Sequence, residues 1–207
     1  MTTEQEKKLC AIREEVARRE EPRRFEHTMG VYRECLWMAK IFSLNDGEAY
    51  SLCASALLHD IAKRLTVSEA QALAARHGEC LETEIPSVIH QYTGAMLAQE
   101  LFDADTVNSV MLDAIRCHTT GKAGMTPLDK MLFVADFTEA GRKYRSCLEM
   151  REYLHGECEK INKNDRSARL GVLDDVTRRI VGYTITYLTE RGKQIDLSMV
   201  RAWNSMV

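Results

Sequence analysis

The sequence predicts an all-α protein, and three observations support that fold class. The chain has 207 residues, of which 45% are hydrophobic, so it is long enough to bury a core without disulfide bonds. It contains only 3 prolines and 11 glycines, and its β-branched residues are little clustered, which argues against a β-sandwich or barrel. Apolar residues recur instead at spacings of three and four, as they do on one face of a helix.

The first half of the chain predicts five helices, each with apolar spacing and start or stop signals. They are expected at residues 3–19, 24–43, 48–63, 68–76 and 87–101. Pro22 separates the first two helices, and Asp46 is placed to cap the third. Residues 48–63 are small and apolar nearly all round, so this helix should be central and buried. Ser68 is placed to cap the fourth helix, and Gly78 to end it.

The second half predicts four more helices with short connections. They are expected from Asp105 or Thr106 through Cys117, and at residues 126–136, 147–160 and 172–191. Thr126 and Pro127 suit the cap and first turn of the second of these, and Gly192 suits the end of the last. A polar loop is expected around residues 162–169, and His155 is expected at the surface.

Charge and cysteine content exclude several classes of protein. The net charge of −3 disfavours a general nucleic-acid coat, which needs an excess of lysine and arginine. The charged N-terminal segment lacks the apolar core of a signal peptide, and no run of about 18 apolar residues suggests a membrane span. The 7 cysteines include no CxxC pair and are expected to be reduced thiols. We therefore expect a cytoplasmic protein.

The dipeptide His59-Asp60 carries the first chemical signal. It lies near the end of the most hydrophobic helix, where an ionised aspartate needs a partner, a network or a cation. Lys63 follows at i+4 from His59, so its ammonium can point at the same cavity. Taken alone, the dipeptide is equally compatible with a buried hydrogen bond that orders the core.

Four further residues occupy comparable positions on other helices. They are His27, His90, His118 and Asp136. Metal ligands in helical bundles converge in the core from different helices in this way. A mixed set of imidazoles and carboxylates suits iron, manganese, cobalt or zinc, and no cysteine lies at a matching position. The spacing therefore indicates a metal site.

Together these residues resemble the motifs of the HD-domain metal-dependent phosphohydrolases. The order His27, His59-Asp60, Asp136 matches that family, and two intervening histidines, here His90 and His118, mark its dinuclear members. The strings ALLHDIAK (56–63), HTTG (118–121) and KMLFVADFTEAGR (130–142) are similar to the YqeK-type branch, the symmetrical bis(5'-nucleosyl)-tetraphosphate hydrolases. The resemblance implies a single HD-domain helical bundle over residues 21–207, preceded by an N-terminal helical extension over residues 1–20.

The resemblance also implies two metal ions. One would be held by His27, His59, Asp60 and Asp136, and the second by His90 and His118, with Asp60 bridging the two. Such a pair activates a shared water molecule and binds phosphoryl oxygens. Iron is the preferred metal, with manganese and cobalt as alternatives. With Asp60 and Lys63 as catalytic residues, diadenosine tetraphosphate would be cut in the middle to give two molecules of ADP.

A tetraphosphate is strongly anionic whereas the chain is net negative, so local cations must bind the substrate. Lys63 is the first candidate, followed by Arg24 and Arg142. Thr119 and Gly121 lie in a loop, where hydroxyl and backbone N–H groups can contact phosphate. For both arginines a structural ion pair is an equal alternative. For Lys63 the separate alternative is a snorkelling helix-end lysine that interacts with the macrodipole.

Other functions remain open on the sequence alone. The same site could act on a different nucleotide, such as a nucleoside triphosphate, a deoxynucleotide or an alarmone, and the products formed from a nucleotide panel would distinguish these substrates. A second alternative is a non-catalytic, metal-stabilised regulatory module, which a turnover assay would separate. The negative net charge and the lack of a long basic stripe argue against a nucleic-acid phosphodiesterase. We expect no membrane or stable nucleic-acid partner, and the helical surfaces leave room for a homodimer.

Overall fold

A computed structural model describes residues 1–81 and 83–207 and confirms the all-α fold class. Over this range the chain forms ten α-helices and no β-strand. They are α1 (Thr3–Arg19), α2 (Pro22–Ile41), α3 (Asp46–Leu58), α4 (Val67–Arg76), α5 (Pro86–Leu101), α6 (Ser109–Ile115), α7 (Pro127–Thr138), α8 (Arg145–Lys160), α9 (Arg166–Glu190) and α10 (Leu197–Asn204). In the described range, no helix has both the length and the apolar character needed to cross a bilayer.

Helix α3 is the central element, as its apolar sequence predicts. Its residues from Ala49 to Leu58 are all buried. Leu52 and Ala56 pack into a core shared with α2, α7, α8 and α9. Cys53 and Leu57 pack into a second core shared with α1, α5 and α6. Both cores therefore pack against α3, and the residues that follow it lie deep in the molecule.

The capping residues of two helices differ from the predicted ones by one or two positions. Asn45 rather than Asp46 caps α3, and Thr66 rather than Ser68 caps α4. Each observed cap has an extended backbone, and its side chain accepts a hydrogen bond from the N–H three residues on. A glutamate at that third position completes a capping box in both helices, which explains why the earlier residue is used.

Helix α3 ends at Leu58 and does not continue through residue 63. Tight turns with i→i−3 hydrogen bonds follow, such as that from the N–H of Lys63 to the carbonyl of Asp60 at 2.8 Å. The ring Nδ1 of His59 lies 2.8 Å from the carbonyl oxygen of Ala56, the acceptor that residue 60 would use in a longer helix. The side chain of His59 thus competes with helix propagation at this point.

Helix α6 is likewise shorter than predicted. It begins at Ser109 rather than near residue 105 and ends at Ile115 rather than Cys117. The ring Nδ1 of His118 lies 2.8 Å from the carbonyl oxygen of Ile115. The N–H of Thr119, which would use that carbonyl in a longer helix, bonds instead to Gln91 Oε1 at 3.2 Å. The helix therefore stops where side chains take over its backbone partners.

The C-terminal part differs most from the prediction. Helix α9 begins at Arg166 rather than residue 172, so the predicted loop around 162–169 is shorter. Asp165 caps this helix through the N–H of Ala168. Helix α10 was not predicted, because eight residues carry too little periodicity to stand out. Trp203 on α10 packs so closely on α9 that a Cβ at Gly182 would lie 2.8 Å from its ring.

His155, predicted to lie at the surface, is half-buried, with 23% of its side chain exposed. Its ring stacks on that of Trp37, with the centroids 3.7 Å apart and the planes 9° from parallel. Its Nε2 also lies 2.7 Å from Oε1 of the buried Glu34. His155 therefore joins α8 to α2, through residues far from it in sequence.

Candidate metal centre

The structure brings all six predicted ligands to one place. His27, His90 and Asp136 lie on α2, α5 and α7, whereas His59 and Asp60 follow α3 and His118 follows α6. The ligand atoms of His27, His59 and Asp136 lie within 4.8 Å of one another, as do those of His59, Asp60 and His118. Five helices therefore contribute to a single cluster.

The carboxylate of Asp60 lies between two groups of histidines. Its Oδ2 is 3.9 Å from His27 Nε2 and 3.6 Å from His59 Nε2. Its Oδ1 is 3.1 Å from His90 Nε2 and 3.7 Å from His118 Nε2. Each oxygen thus faces one group, which is the arrangement expected of a bridging carboxylate.

Asp136 lies beside the first of these groups, which consists of His27 and His59. Its Oδ1 lies 3.1 Å from His27 Nε2 and 4.0 Å from His59 Nε2. The second group consists of His90 and His118, whose Nε2 atoms are 3.1 Å apart. The resemblance described above implies the same division of ligands.

His59 and His118 are oriented in the same way. In each, the ring Nδ1 lies 2.8 Å from the carbonyl oxygen three residues earlier, at the end of its helix. A carbonyl accepts only, so this contact places the proton on Nδ1 and leaves Nε2 with a lone pair. Both Nε2 atoms therefore face the cluster as potential ligand atoms.

Three buried atoms of the cluster lie near polar groups but make no hydrogen bond of acceptable geometry. They are His27 Nε2, His59 Nε2 and Asp60 Oδ1. Leaving a buried polar atom without a partner costs about 1–3 kcal/mol, so three together in one place require an explanation. A metal cation that takes lone pairs from imidazole nitrogen and carboxylate oxygen accounts for all of them, and the donor set therefore fits a metal ion.

Burial and nearby carboxylates determine the charge of the histidines. Burial lowers the pKa of His59 and of His90 to about 4, so both are neutral at pH 7. Burial also acts to lower the pKa of His27, but the carboxylates of Asp136 and Glu139 offset it and raise that pKa to about 9. His27 is therefore protonated near neutral pH before a cation enters.

Three cationic side chains, each about one-third exposed, surround the two acidic ligands. Arg24 Nη1 is 2.8 Å from Asp60 Oδ2, and Lys63 Nζ is 3.5 Å from Asp60 Oδ1. Arg142 Nη2 is 2.5 Å from Asp136 Oδ1. Both arginines therefore form the ion pairs that the sequence left open as an alternative. Burial would raise the pKa of Asp136, but Arg142 and the neighbouring histidines hold it well below its usual range.

Of the two predicted loop residues, only Thr119 reaches the cluster. Its Oγ1 lies 3.1 Å from His90 Nε2. The expectation that Gly121 offers its N–H to phosphate is not met, because that N–H donates to the carbonyl of Cys117 at 2.8 Å. Gly121 lines a separate cavity of about 360 Å³ beside Arg116 and Lys122, and none of the six ligands lines that cavity.

The sequence did not predict a role at the site for two residues that the structure places there. Glu139 Oε1 lies 3.1 Å from His27 Nδ1. The buried Gln91 accepts the N–H of Thr119 at 3.2 Å and that of Thr120 at 3.3 Å, so it holds the loop beside His118. Each stands close to a predicted ligand, Gln91 directly after His90 and Glu139 three residues after Asp136, and that proximity was the available signal.

The comparisons with known proteins agree with this geometry. The HD domain profile matches residues 24–141. A protein of Bacillus subtilis named "Bis(5'-nucleosyl)-tetraphosphatase, symmetrical" is 34% identical over 131 residues, which cover 62% of this chain and 68% of that protein. A protein of the same name from Halalkalibacterium halodurans is 28% identical over 188 residues, 89% of each chain.

A solved structure has the same fold. It is described as a predicted HD superfamily hydrolase involved in NAD metabolism from Clostridium acetobutylicum, and it superposes with a TM-score of 0.76 over 95% of each chain at 23% sequence identity. The profile match covers more than half of the chain and includes all six converging residues, from His27 to Asp136. The chain belongs to the HD-domain family.

Proposed function

We propose that this protein is a metal-dependent hydrolase that cleaves dinucleoside tetraphosphates symmetrically into two nucleoside diphosphates. The observation that carries the proposal is the position of Asp60, whose two oxygens face two separate groups of histidines. This arrangement suits a pair of cations that share one carboxylate. The names of the Bacillus subtilis and Halalkalibacterium halodurans relatives supply the substrate class.

In this proposal the six converging side chains hold two ions. His27, His59, Asp60 and Asp136 hold the first, and His90 and His118 hold the second together with Asp60. When bound, the ions supply Lewis acidity for the phosphoryl oxygens and for the attacking water. Iron is proposed as the resident metal, with manganese or cobalt able to replace it, because these metals accept mixed imidazole and carboxylate ligands.

The partly exposed cations are proposed to bind the polyphosphate. Lys63 Nζ lies 2.8 Å from His90 Nε2, so its ammonium stands beside the second group of ligands. The side chains of Arg24 and Arg142 are 37% and 33% exposed. Each can therefore contact a phosphate group of the substrate while it keeps its ion pair with Asp60 or Asp136. Thr119 offers a hydroxyl at the same side of the cluster. We also propose that the protein works in the cytoplasm, where its unpaired cysteines would stay reduced.

The products of a nucleotide panel test the proposal. Protein loaded with Mn²⁺ is incubated with diadenosine tetraphosphate, and the products are separated by anion-exchange chromatography. The expected product is ADP alone, and in ¹⁸O-labelled water one of the two ADP molecules from each cleavage carries the label. Formation of AMP with ATP, turnover of another nucleotide only, or no turnover of any nucleotide would contradict the proposal.

The affinity for the first metal ion is expected to rise with pH. Metal binding requires the neutral imidazole of His27, whose pKa is raised to about 9 by Asp136 and Glu139 against the effect of burial. Below that pH one proton must leave as the ion binds, so apparent affinity should fall about tenfold for each pH unit. His59 and His90, with pKa values of about 4, add no such dependence near neutral pH. Mn²⁺ titrations at several pH values between 6 and 8 measure how the apparent affinity changes with pH. An affinity that does not change with pH would contradict the expected rise.

Replacing Lys63 with methionine is expected to weaken substrate binding more than metal binding. The variant keeps the apolar stem but loses the ammonium, and a hydrogen bond to a charged group contributes about 1.5–3 kcal/mol, which corresponds to about a ten- to hundredfold rise in KM. Steady-state kinetics gives KM, and metal analysis of the same preparation gives the amount of bound metal. Arg64→Met is the matched control, because Arg64 is exposed and lies 3.6 Å from Glu21 rather than at the cluster. A loss of bound metal from the Lys63 variant would show a structural role instead.

A further inference from the structure

The carboxylate of Glu139 fits against two glycines next to His27. Gly30 lies one turn after His27 on α2, and a Cβ atom built on it would be only 2.2 Å from Glu139 Oε2. A Cβ atom on Gly141 would be 2.9 Å from the same oxygen. Real Cβ atoms do not approach other atoms this closely, so the position of Glu139 requires glycine at both places.

Glu139 makes two polar contacts from this position. Its Oε1 lies 3.1 Å from His27 Nδ1, and its Oε2 accepts the N–H of Gly141 at 2.6 Å. The side chain is almost fully buried, with 4% exposure. Both oxygens are therefore used, and the carboxylate cannot turn away from His27 without losing a buried hydrogen bond.

His27 needs an external acceptor because of its position in its helix. His59 and His118 follow their helices and use a backbone carbonyl three residues earlier to hold Nδ1. His27 lies inside α2, where the carbonyls of the preceding turn are engaged in helix hydrogen bonds. An acceptor from another element is therefore needed, and the end of α7 brings Glu139 there.

We propose that Glu139 is a positioning residue that fixes the tautomer and ring orientation of His27, and that Gly30 is required to admit its carboxylate. The inference rests on the proposed metal centre, in which His27 binds through Nε2. Carboxylates that orient a ligating histidine typically change metal affinity or activity by about 10- to 100-fold when removed. Glu139 would therefore control how tightly the first ion is held, without touching that ion.

Mn²⁺ affinity and thermal stability of the metal-free protein test this inference together. Glu139→Gln keeps the size of the side chain but places an amide where the carboxylate meets His27 and Gly141, and Mn²⁺ affinity should fall about 10- to 100-fold. Gly30→Ala should cause a similar fall, because the new methyl group displaces the Glu139 carboxylate. Its melting temperature should change little, since alanine is the better helix former and this gain offsets the buried hydrogen bond that the displaced carboxylate loses.

The double variant separates the proposed coupling from two independent effects. In a Glu139→Ala background, Gly30→Ala should cause no further loss of Mn²⁺ affinity, because the carboxylate it displaces is already absent. Gly171→Ala on α9 is the matched control, since its Cβ would meet no atom within 4 Å, and it should bind Mn²⁺ as the wild type does.

Three results would overturn the inference. They are unchanged affinity in Glu139→Gln, unchanged affinity in Gly30→Ala, and additive losses in the double variant. Wild-type protein that bound no Mn²⁺ would overturn the metal centre itself and this inference with it, so the two failures can be told apart.

Discussion

Replacing Asp60 with asparagine is expected to abolish hydrolysis, with a fall in kcat of about a thousandfold or more. Asp60 is the one side chain in the described structure whose oxygens lie within 4 Å of histidines from both groups. An amide keeps one oxygen and replaces the other with an NH₂ group, which cannot donate a lone pair to a cation. Loss of the shared carboxylate removes several kcal/mol of transition-state stabilisation, and each 1.4 kcal/mol is about tenfold in rate.

The comparison requires a control for folding. Arg24 and Lys63 both lose a carboxylate partner in the Asp60 variant, so its circular dichroism and melting curve should be recorded beside its kinetics. Asp113→Asn supplies the matched substitution, because Asp113 is an exposed residue of α6 outside the cluster. Near wild-type turnover in a folded Asp60→Asn protein would refute the bridging role.

Replacing His118 with glutamine is expected to give the second largest loss, about a hundredfold or more in kcat. His118 is buried, and its Nε2 faces both His90 Nε2 and Asp60 Oδ1. Without it the second group keeps only His90 and the shared carboxylate, which is too few ligands to hold an ion tightly. The variant should therefore retain about one ion per chain, and kinetics and metal analysis on one preparation measure both effects.

His77→Gln is the matched control for this variant. His77 ends α4 away from the cluster, and its Nε2 lies 3.3 Å from Glu100. The control should keep wild-type metal content and turnover. Full activity in the His118 variant, or a loss of both ions, would contradict the division of ligands into two groups.

Local signals in the sequence predict the fold class and several helix ends. Helix α7 begins at Pro127 with Thr126 as its cap, as the Thr-Pro pair predicts. Gly192 follows α9 in a left-handed conformation with φ of 59°, and Gly78 follows α4 with φ of 66°. These features depend on residues adjacent in the chain, so one sequence contains the information needed to place them.

Features that depend on distant residues are not predictable in this way. The early ends of α3 and α6 follow from competition between a histidine ring and the helix for one carbonyl, which periodicity does not report. The role of Glu139 depends on Gly30, far away in sequence, and the stacking of His155 depends on Trp37. The six ligands could be predicted from the sequence because polar residues near the ends of apolar helices are unusual. The residues that support these ligands carry no comparable signal.

Counting the metal ions bound per chain tests the central claim most directly. Wild-type protein equilibrated with Mn²⁺ and freed of excess ion is analysed by plasma mass spectrometry against protein concentration from amino-acid analysis. The arrangement of histidines on both sides of Asp60 predicts about two ions per chain, with hydrolysis lost on chelation and restored on adding Mn²⁺. Binding of no ion, or undiminished hydrolysis by the chelated protein, would contradict it.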